Sequence, residues 1–536
     1  MKEANKQLRT IIQTRILAQS LLFNLMIMGI MLTLFYPRYN NKADIIMQNL
    51  LYGSIPGLQT AQLVFSNIIL GEIESLLLHL FPGGAWYTII QLLFVLLALT
   101  GIGYAILSRT ARTMGKVIMV FVLSFLGYEG YVTIGYIKTA CLLTASGSIL
   151  FMYAVRDQEK ERHVMVLPIV FFIAGSLYSF KCFCLVFLSS MIMFLIYIIV
   201  NKKRCLIRNT IVCIIITLCV TSSFYLIDYL SYNTNKTDYQ YTLEYRNDYE
   251  SLFLKGVNQS YNNYTNVRGA DTKKQIFAIS QGVFLNGTEE ALLAVKDVAK
   301  QTRDLSLNTL RDFFRIRIIS LFSVDHFYLY FGLLILLAAF VRDRYRFLIS
   351  TLPYCLLGLF LIHINYYENA GEIYFLIFLT ASSHLLLYTK EMHGIEWKSA
   401  ASFVAVLFII LYSSFSGELF TTINKNEINK MFDEVGTEEY LVDLDSYCKN
   451  FSAFNRYPSD LIPSNVYIVN GFYSTMTKYK TRDYIINYNP KTNMIAPNDK
   501  HKWIYKPKEY SLDDVPNFGP KRFYTYFFRD RYMMNK

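Results

Sequence analysis

Charged residues are scarce in this sequence, since only 17% of its 536 residues are Asp, Glu, Lys or Arg. A soluble domain carries about 25%. Apolar residues make up 53% of the chain, and they fall in blocks of roughly 16–24 residues, the length that crosses a bilayer core about 30 Å thick. A series of such blocks excludes an ordinary soluble protein and predicts an all-α polytopic membrane protein.

Several motifs are also absent from the sequence. None of the eight cysteines forms a C-x-x-C pair, and Cys448 is alone in the segment 416–536, so we expect no disulfide within that segment. No Walker A motif occurs, which argues against ATP-driven transport. The first apolar block, 15–36, is too long for a cleavable signal peptide and lacks a small-residue cleavage site, so we expect a permanent helix there.

The net charge of +12 comes mainly from Lys and Arg residues in the short loops between apolar blocks. This placement is a signal of membrane topology, and it argues against a nucleic-acid partner. About eleven spans are expected from the lengths of the apolar blocks. They are predicted at 15–36, 85–108, 117–131, 133–155, 163–179, 184–200, 210–230, 324–341, 346–363, 372–389 and 399–415.

The basic loops recur on the side of the N-terminus at every second turn of the chain. We therefore expect a multi-pass protein of the plasma membrane, with a cytoplasmic N-terminal segment 1–14 and an extracytoplasmic C-terminus. The transmembrane domain then covers 15–415, and its large outer loops are 37–84 and 231–323. The segment 416–536 lies outside the membrane on the same side as these loops.

The outer segment 416–536 differs in composition from the rest of the chain. It is rich in Tyr, Asn, Lys and Asp, and it contains the β-type run Val466-Tyr467-Ile468-Val469. Its length of about 120 residues suffices for a small domain. We therefore expect a small α/β-type extracytoplasmic domain after the last span.

Helical periodicity runs over 44–52 and 59–81 within the first outer loop. The second stretch is apolar but contains Glu72 and Glu74, which favours a helix lying along the membrane surface over one that crosses it. These two glutamates project about 200° apart on a helix, so they cannot share one site. For both of them we expect exposure at the rim of the interfacial helix.

The same loop carries a recognisable pattern. Asp44-Ile45-Ile46-Met47 is followed by Leu51-Tyr52-Gly53, by the amphipathic stretch 63–71, and by Trp86-Tyr87 at the start of the next span. The second large outer loop contains Tyr245-Arg246-Asn247-Asp248-Tyr249. Together these stretches resemble the outer loops of GT-C-type bacterial membrane glycosyltransferases, and the resemblance implies a GT-C-like membrane domain with amphipathic outer-loop helices.

The resemblance also implies a reaction. A sugar would pass from a polyprenyl-phosphate donor in the membrane lipid to a glycan or lipid acceptor on the outer face, with Asp44 as the general base. The chemistry agrees, because such a transfer needs a base for the acceptor hydroxyl and cations for the phosphate. The candidates for binding the substrate and the donor are Lys181, Lys138, Arg246, Gln62, Glu72 and Tyr52.

The chain departs from the family pattern at positions that bear on this chemistry. Where the family usually has two adjacent acids, Ala43 precedes Asp44, and Lys181 stands near a position where an arginine is common. The one cofactor that the sequence suggests is a divalent cation. Glu368 and Glu372 are its candidate ligands, because like-charged carboxylates attract such an ion, and a solvated pair is the alternative.

A second class of function stays open. Many spans and large outer loops are also typical of a non-catalytic, transport or polymerase-type membrane protein of envelope polysaccharide assembly. The spans lack paired Gly/Pro interruptions, which argues against a secondary transporter. The candidate residues also have ordinary structural interpretations, such as a helix cap for Asp44 and snorkelling to the membrane rim for Lys138.

Overall fold

A computed structural model of the protein describes residues 2–39, 42–54, 59–109, 112–156, 162–200, 206–234, 440–443, 453–454, 466–469 and 493–495. Helices make up most of this part. The elements in chain order are α1 (Lys2–Leu34), β1 (Arg38–Tyr39), α2 (Lys42–Tyr52), α3 (Ile68–Leu80), α4 (Trp86–Arg109), α5 (Arg112–Gly127), a π-helical turn (Tyr128–Val132), β2 (Thr133–Ile134), α6 (Tyr136–Arg156), α7 (Arg162–Tyr178), α8 (Phe180–Val200), α9 (Ile207–Thr234), β3 (Tyr440–Asp443), β4 (Val466–Val469) and β5 (Asn493–Ile495).

Five of the described helices are long and apolar enough to cross a membrane, and two shorter apolar helices accompany them. The long ones are Gln13–Leu34, Trp86–Ser108, Tyr136–Val155, Phe180–Ile199 and Thr210–Tyr232, and the shorter ones are Ile118–Val132 and Val166–Tyr178. Their positions agree with the spans predicted between 15 and 230, so the helical, membrane-type character expected from the sequence is confirmed there. The predicted spans from 324 to 415 lie outside the described residues.

The outward faces of α1 and α9 are apolar. Leu22 and Met26 of α1, and Ile215 and Leu226 of α9, each expose more than half of their side-chain area. A belt of this kind is unfavourable in water and stable against lipid hydrocarbon. The exposed faces therefore favour a helix bundle surrounded by lipid.

Close helix crossings hold the interior of the bundle together. The central helix α6 is almost entirely buried and packs against α4, α7 and α8. A Cβ atom built on Gly175 of α7 would lie 2.5 Å from the hydroxyl oxygen of Thr144 and 3.1 Å from the carbonyl oxygen of Ala140, both on α6. Small residues at such crossings let the backbones approach closely, which is how membrane helices gain packing energy.

Polar side chains fix α1 on α4. The Ser20 hydroxyl donates to the carbonyl oxygen of Thr100 over 2.8 Å, and the Asn24 amide donates to the carbonyl oxygen of Leu96 over 2.9 Å. The Tyr131 hydroxyl donates to Asn24 Oδ1 over 2.9 Å. Because these groups are buried, each bond also removes the cost of an unpaired polar group.

The helices of the first outer loop are partly as predicted. The helix expected over 44–52 is confirmed as α2, but the second helix begins at Ile68 rather than at residue 59. Asn67 Oδ1 accepts from the backbone N–H of Ile69 over 3.0 Å and caps α3 there. Val64 has a φ of 67°, outside the helical region, so the chain before Asn67 turns instead of forming helix.

This loop, predicted to lie on the outer face, packs on one end of the helix bundle. The backbone N–H of Asn67 donates to the carbonyl oxygen of Leu177 at the end of α7, over 2.9 Å. The backbone N–H of Ile68 donates to Asp228 Oδ1 near the end of α9, over 2.7 Å. β1 pairs in parallel with β2, which joins the loop to the connection before α6. The loop therefore ties together several helix ends.

The C-terminal segment contributes three short strands to the described residues. They form a parallel sheet in the order β4-β3-β5. The strand expected at Val466–Val469 is confirmed as β4. The small α/β-type domain around it stays a prediction, because most of 416–536 lies outside the described residues.

Gly175→Leu is expected to destabilise the protein by about 1–3 kcal/mol, since the larger side chain would overlap α6 at the crossing. Gly29→Leu is the matched control, because a Cβ atom on Gly29 of α1 meets nothing within 4 Å. The thermal midpoints of the two variants in detergent check this. Equal midpoints for both variants would contradict the close α6–α7 crossing.

Candidate functional site

Asp44 is the centre of the buried polar residues at the outer-loop end of the bundle. It lies in the first turn of α2, and its side chain is fully buried. Its Oδ1 atom accepts hydrogen bonds from the Tyr87 hydroxyl over 2.9 Å and from the Gln91 amide over 3.2 Å. It also accepts from the backbone N–H of Tyr136 over 2.9 Å. Three donors from α4 and α6 therefore meet on one oxygen.

The position of Asp44 favours negative charge on its carboxylate. Tyr136 is the first residue of α6, and Asp44 itself lies in the first turn of α2, so the carboxylate lies at two helix N-termini. The aligned peptide dipoles of both helices stabilise an anion there. Asp44 is therefore a helix cap, which is the structural role that the sequence also allowed. The helix that it caps is α6, and its side chain is buried and not exposed to solvent.

Glu74 is the second acid at this place. The expected exposure at the helix rim is correct for Glu72 and wrong for Glu74, which is fully buried. The physical reason is the seating of α3: a Cβ atom on Gly71 would lie 2.0 Å from the carbonyl oxygen of Ala61. Glycine lets the preceding turn press against α3, and this turns the face with Glu74 inward. We call Asp44 and Glu74 the carboxylate pair.

The carboxylate pair differs in how readily its members ionise. Burial, and then the negative charge of Asp44, raise the pKa of Glu74 well above its ordinary value of 4.5. Desolvation and a like charge both disfavour the ionised form. Asp44 differs in its surroundings, because three donors and two helix N-termini face its carboxylate. Glu74 has no such donor among the described residues, and its neutral form is favoured.

Four tyrosines surround the carboxylate pair, and we call them the tyrosine cluster. Three of them, Tyr52, Tyr87 and Tyr178, are almost fully buried, and Tyr39 is partly buried. Tyr39 and Tyr87 pack edge to face with ring centroids 5.9 Å apart. Burial raises the pKa of Tyr52, so its hydroxyl stays protonated and can donate. The cluster offers aromatic surface together with hydroxyl groups.

Several buried polar atoms beside the carboxylate pair lack a hydrogen-bond partner. Within the described part of the chain, neither oxygen of Glu74 has one, nor does Gln91 Oε1 or the Tyr178 hydroxyl. Buried polar groups in folded proteins are nearly always hydrogen-bonded, so a group of exceptions at one place indicates a bound polar ligand or water. This grouping makes the pair a candidate binding site.

A short piece of the C-terminal segment contacts the edge of the site. The Thr88 hydroxyl donates to the carbonyl oxygen of Ala453. The Tyr39 hydroxyl lies 2.6 Å from that of Thr88 and donates to the same carbonyl oxygen over 3.4 Å. Ala453 is fully buried and Phe454 is partly buried against the core. The C-terminal segment therefore borders the site next to the tyrosine cluster.

Lys138 belongs to a different buried group. Its Nζ atom lies 2.6 Å from Glu129 Oε2 in the π-helical turn, and it donates to the hydroxyl and carbonyl oxygens of Thr133 over 2.7 and 3.1 Å. The side chain is buried, so it does not snorkel to the rim. A charge engaged with a carboxylate is a poor ligand for a lipid phosphate, and the geometry does not bring Lys138 to Asp44.

The other candidates from the sequence are spread over the molecule. Tyr52 lies with Asp44 in the site. The Gln62 side chain reaches the carbonyl oxygen of Ser231, over 3.4 Å, at the end of α9. Lys181 is exposed at the start of α8, and Glu72 is exposed on the side of α3 away from Asp44. The candidates outside the described residues are Arg246, Glu368 and Glu372.

Sequence reasoning missed Glu74, Gln91 and Tyr178 as site residues. A signal was available for Gln91, because Tyr87, Thr88 and Gln91 place polar groups on one face of an otherwise apolar span. No comparable signal marks Tyr178, whose position at the end of α7 is typical of the aromatic belt at a membrane surface. Glu74 could be assigned only once the seating of α3 was known.

The carboxylate pair, taken with the other described residues, does not fit a divalent cation. The described residues contain no group of three or more His, Cys, Asp or Glu side chains that could hold a metal ion. The carboxylate pair supplies two side chains, and three donors already occupy Oδ1 of Asp44. Calcium takes six to eight oxygen ligands, and magnesium demands octahedral geometry. No step of the chemistry is therefore assigned to a metal.

No protein-family model, no curated protein and no solved structure matches this chain. The geometry of the site is therefore the basis for assigning a function. An anionic carboxylate fixed by three donors can accept a proton from a substrate. Unpartnered acceptors and aromatic faces beside it can bind a polar ligand such as a sugar.

Lys138→Met is expected to cost about 3–5 kcal/mol of stability, because it leaves Glu129 as an unpaired buried charge. The double variant Glu129→Gln/Lys138→Met should recover most of the loss, since no charge is then buried. Thermal midpoints in detergent measure both. A single variant as stable as the unmodified protein would contradict the buried ion pair.

Glu74→Gln is expected to raise stability at neutral pH. Because burial raises the pKa of Glu74 in the folded protein, ionising it opposes folding, and stability falls as pH rises from 4.5 towards the raised pKa. The advantage of the variant should be small below pH 4.5, grow over that range and stay at its largest value above it. Thermal midpoints against pH measure this, with the exposed Glu72→Gln as control. A gain that does not depend on pH would contradict the assignment.

Proposed function

We propose that this chain is a GT-C-type membrane glycosyltransferase with about eleven spans. It moves a sugar from a polyprenyl-phosphate donor to a cell-surface glycan or lipid acceptor at the outer face of the plasma membrane. The observation that carries the proposal is the carboxylate pair, buried where the first outer loop packs on the helix ends. An acid at that place lies between a donor in the membrane and an acceptor in water.

In the proposed reaction, Asp44 takes the proton of the acceptor hydroxyl. The acceptor oxygen forms a bond to the anomeric carbon of the sugar, and the bond from that carbon to the phosphate oxygen breaks. Polyprenyl phosphate leaves with the electron pair of that bond. The donors from Tyr87, Gln91 and Tyr136 hold the carboxylate in one orientation, which is what a general base requires.

Two further observations support the proposal. Lys181 is exposed at the start of α8, at the end of the bundle that carries the outer loop, and it is suited to a lipid phosphate. Thr88 contacts Ala453, and this contact requires the C-terminal segment to lie at the same end of the bundle as the outer loop, as the proposal expects. Arg246 remains a candidate for the same phosphate.

A transport-type protein of envelope polysaccharide assembly is the alternative function. The observation in its favour is that the site is closed: Asp44 and Glu74 are both fully buried, as expected of acids that carry protons within a membrane protein. In that case Asp44 would bind and release protons without a glycosidic bond being formed. The two functions differ in whether purified protein alone makes a new glycosidic bond.

Asp44→Asn is expected to lower sugar transfer by about 10²–10⁴-fold, the usual contribution of a general base. Asparagine keeps an oxygen for the three donors, so the fold should survive. The assay uses purified protein in proteoliposomes that contain radiolabelled lipid-linked sugars from host membranes, together with host cell-wall glycan. Transfer is measured as label that becomes resistant to lipid extraction.

The control variant is His79→Gln, which changes an exposed residue of α3 that is not a candidate for substrate binding and should leave transfer unchanged. Thermal midpoints show whether each variant is folded. Equal transfer by Asp44→Asn and the unmodified protein would contradict the proposed base. Failure of the unmodified protein to transfer label, with label instead moving across the bilayer, would favour the transport alternative.

A further inference from the structure

The polar atoms without partners around the carboxylate pair have one property in common. The two oxygens of Glu74 and the Oε1 atom of Gln91 can accept hydrogen bonds, and the Tyr178 hydroxyl can accept as well as donate. They belong to one place, because α3, which carries Glu74, packs against α2, α4 and α7, and Gln91 of α4 donates to Asp44 of α2. Once Glu74 is ionised, three of these four atoms can only accept, so a ligand that donates hydrogen bonds would complement them.

Positive charge is also missing around Glu74 within the described part of the chain. The groups that face it are Asp44 and Tyr52 from α2, Tyr39 from β1, Tyr87 from α4 and Tyr178 from α7. All are acidic or neutral. Lys138, two residues after the backbone N–H that binds Asp44, is already paired with Glu129. A ligand that brings both donors and positive charge would complement this site.

We propose that the carboxylate pair, together with Gln91 and Tyr178, binds the positively charged amino group of an amino sugar. The proposal rests on the proposed function, in that the ligand is taken to be a sugar. An ammonium group brings three N–H donors and one positive charge, whereas a hydroxyl group brings one donor and no charge. The tyrosine cluster adds aromatic faces, which attract cations.

The way α3 is held supports a binding role for Glu74. Val64, a β-branched residue, has a φ of 67°, a conformation that such residues rarely adopt. Its backbone N–H donates to the Tyr232 hydroxyl over 3.0 Å, and Asp228 accepts from the first residue of α3. Strained backbone of this kind concentrates at functional sites. Here it fixes the helix that directs Glu74 towards Asp44.

Binding of an amino group is linked to the protonation of Glu74. The ligand's charge favours the ionised carboxylate, so binding releases the proton that burial retains on Glu74 in the free protein. Affinity should then rise from mildly acidic to neutral pH. A neutral sugar causes no such release, so its affinity should not change over the same range.

The test is a set of thermal midpoints of the purified full-length protein in detergent. The probes are glucosamine, N-acetylglucosamine, glucose and magnesium chloride, each at mildly acidic and at neutral pH. We expect glucosamine to raise the midpoint of the unmodified protein, more at neutral pH, and the other three probes to leave it unchanged. Glu74→Gln should abolish the glucosamine shift, and His79→Gln, which changes an exposed residue of the same helix, should retain it.

Three results would overturn the proposal: no shift with glucosamine, an equal shift with N-acetylglucosamine, or an equal glucosamine shift in Glu74→Gln and the unmodified protein. A shift with magnesium chloride in place of glucosamine would also overturn it, in favour of a divalent cation. Because this assay measures binding alone, its outcome is separate from that of the Asp44→Asn transfer assay. Either proposal can fail while the other stands.

Discussion

The Oδ1 atom of Asp44 is the point on which the described structure depends. It joins α2 to α4 through Tyr87 and Gln91, and to the first turn of α6 through the backbone N–H of Tyr136. In a buried site with little competing water, charge-assisted bonds of this kind are strong, and losing them would leave several buried donors unpaired. These bonds therefore hold the outer loop in a fixed position on the helix bundle, next to Glu74.

The same place is unfavourable for a protein that binds nothing there. A second carboxyl beside Asp44 is desolvated and repelled, and neither of its oxygens has a partner within the described residues. A neutral side chain at position 74 would make the folded protein more stable. The anchoring of α3 by Asn67 and Asp228, together with the strained turn at Val64, maintains this arrangement. We infer from this unfavourable arrangement that the site binds a ligand.

The sequence predicts the helices better than it predicts the site. Span positions follow from the length of apolar blocks, and α2 follows from its periodicity, because these features are local. Asp44 was singled out by resemblance, and its catalytic role stays a prediction. Glu74 could not be assigned, because its orientation depends on how Gly71 lets α3 dock against a turn that is distant from Asp44 in sequence. The ion pair of Lys138 could not be predicted, because its partner, Glu129, lies in a π-helical turn that no local pattern indicates.

The most direct test of the central claim, that the carboxylate pair acts as one working site, is a double-mutant cycle in sugar transfer. The cycle compares Asp44→Asn, Glu74→Gln and the double variant in proteoliposomes, with thermal midpoints to confirm folding. Residues that act as a unit give strongly non-additive effects. The account predicts that each single variant loses transfer and that the double variant is little worse than Asp44→Asn alone. Additive losses, or full transfer by the folded Asp44→Asn protein, would contradict it.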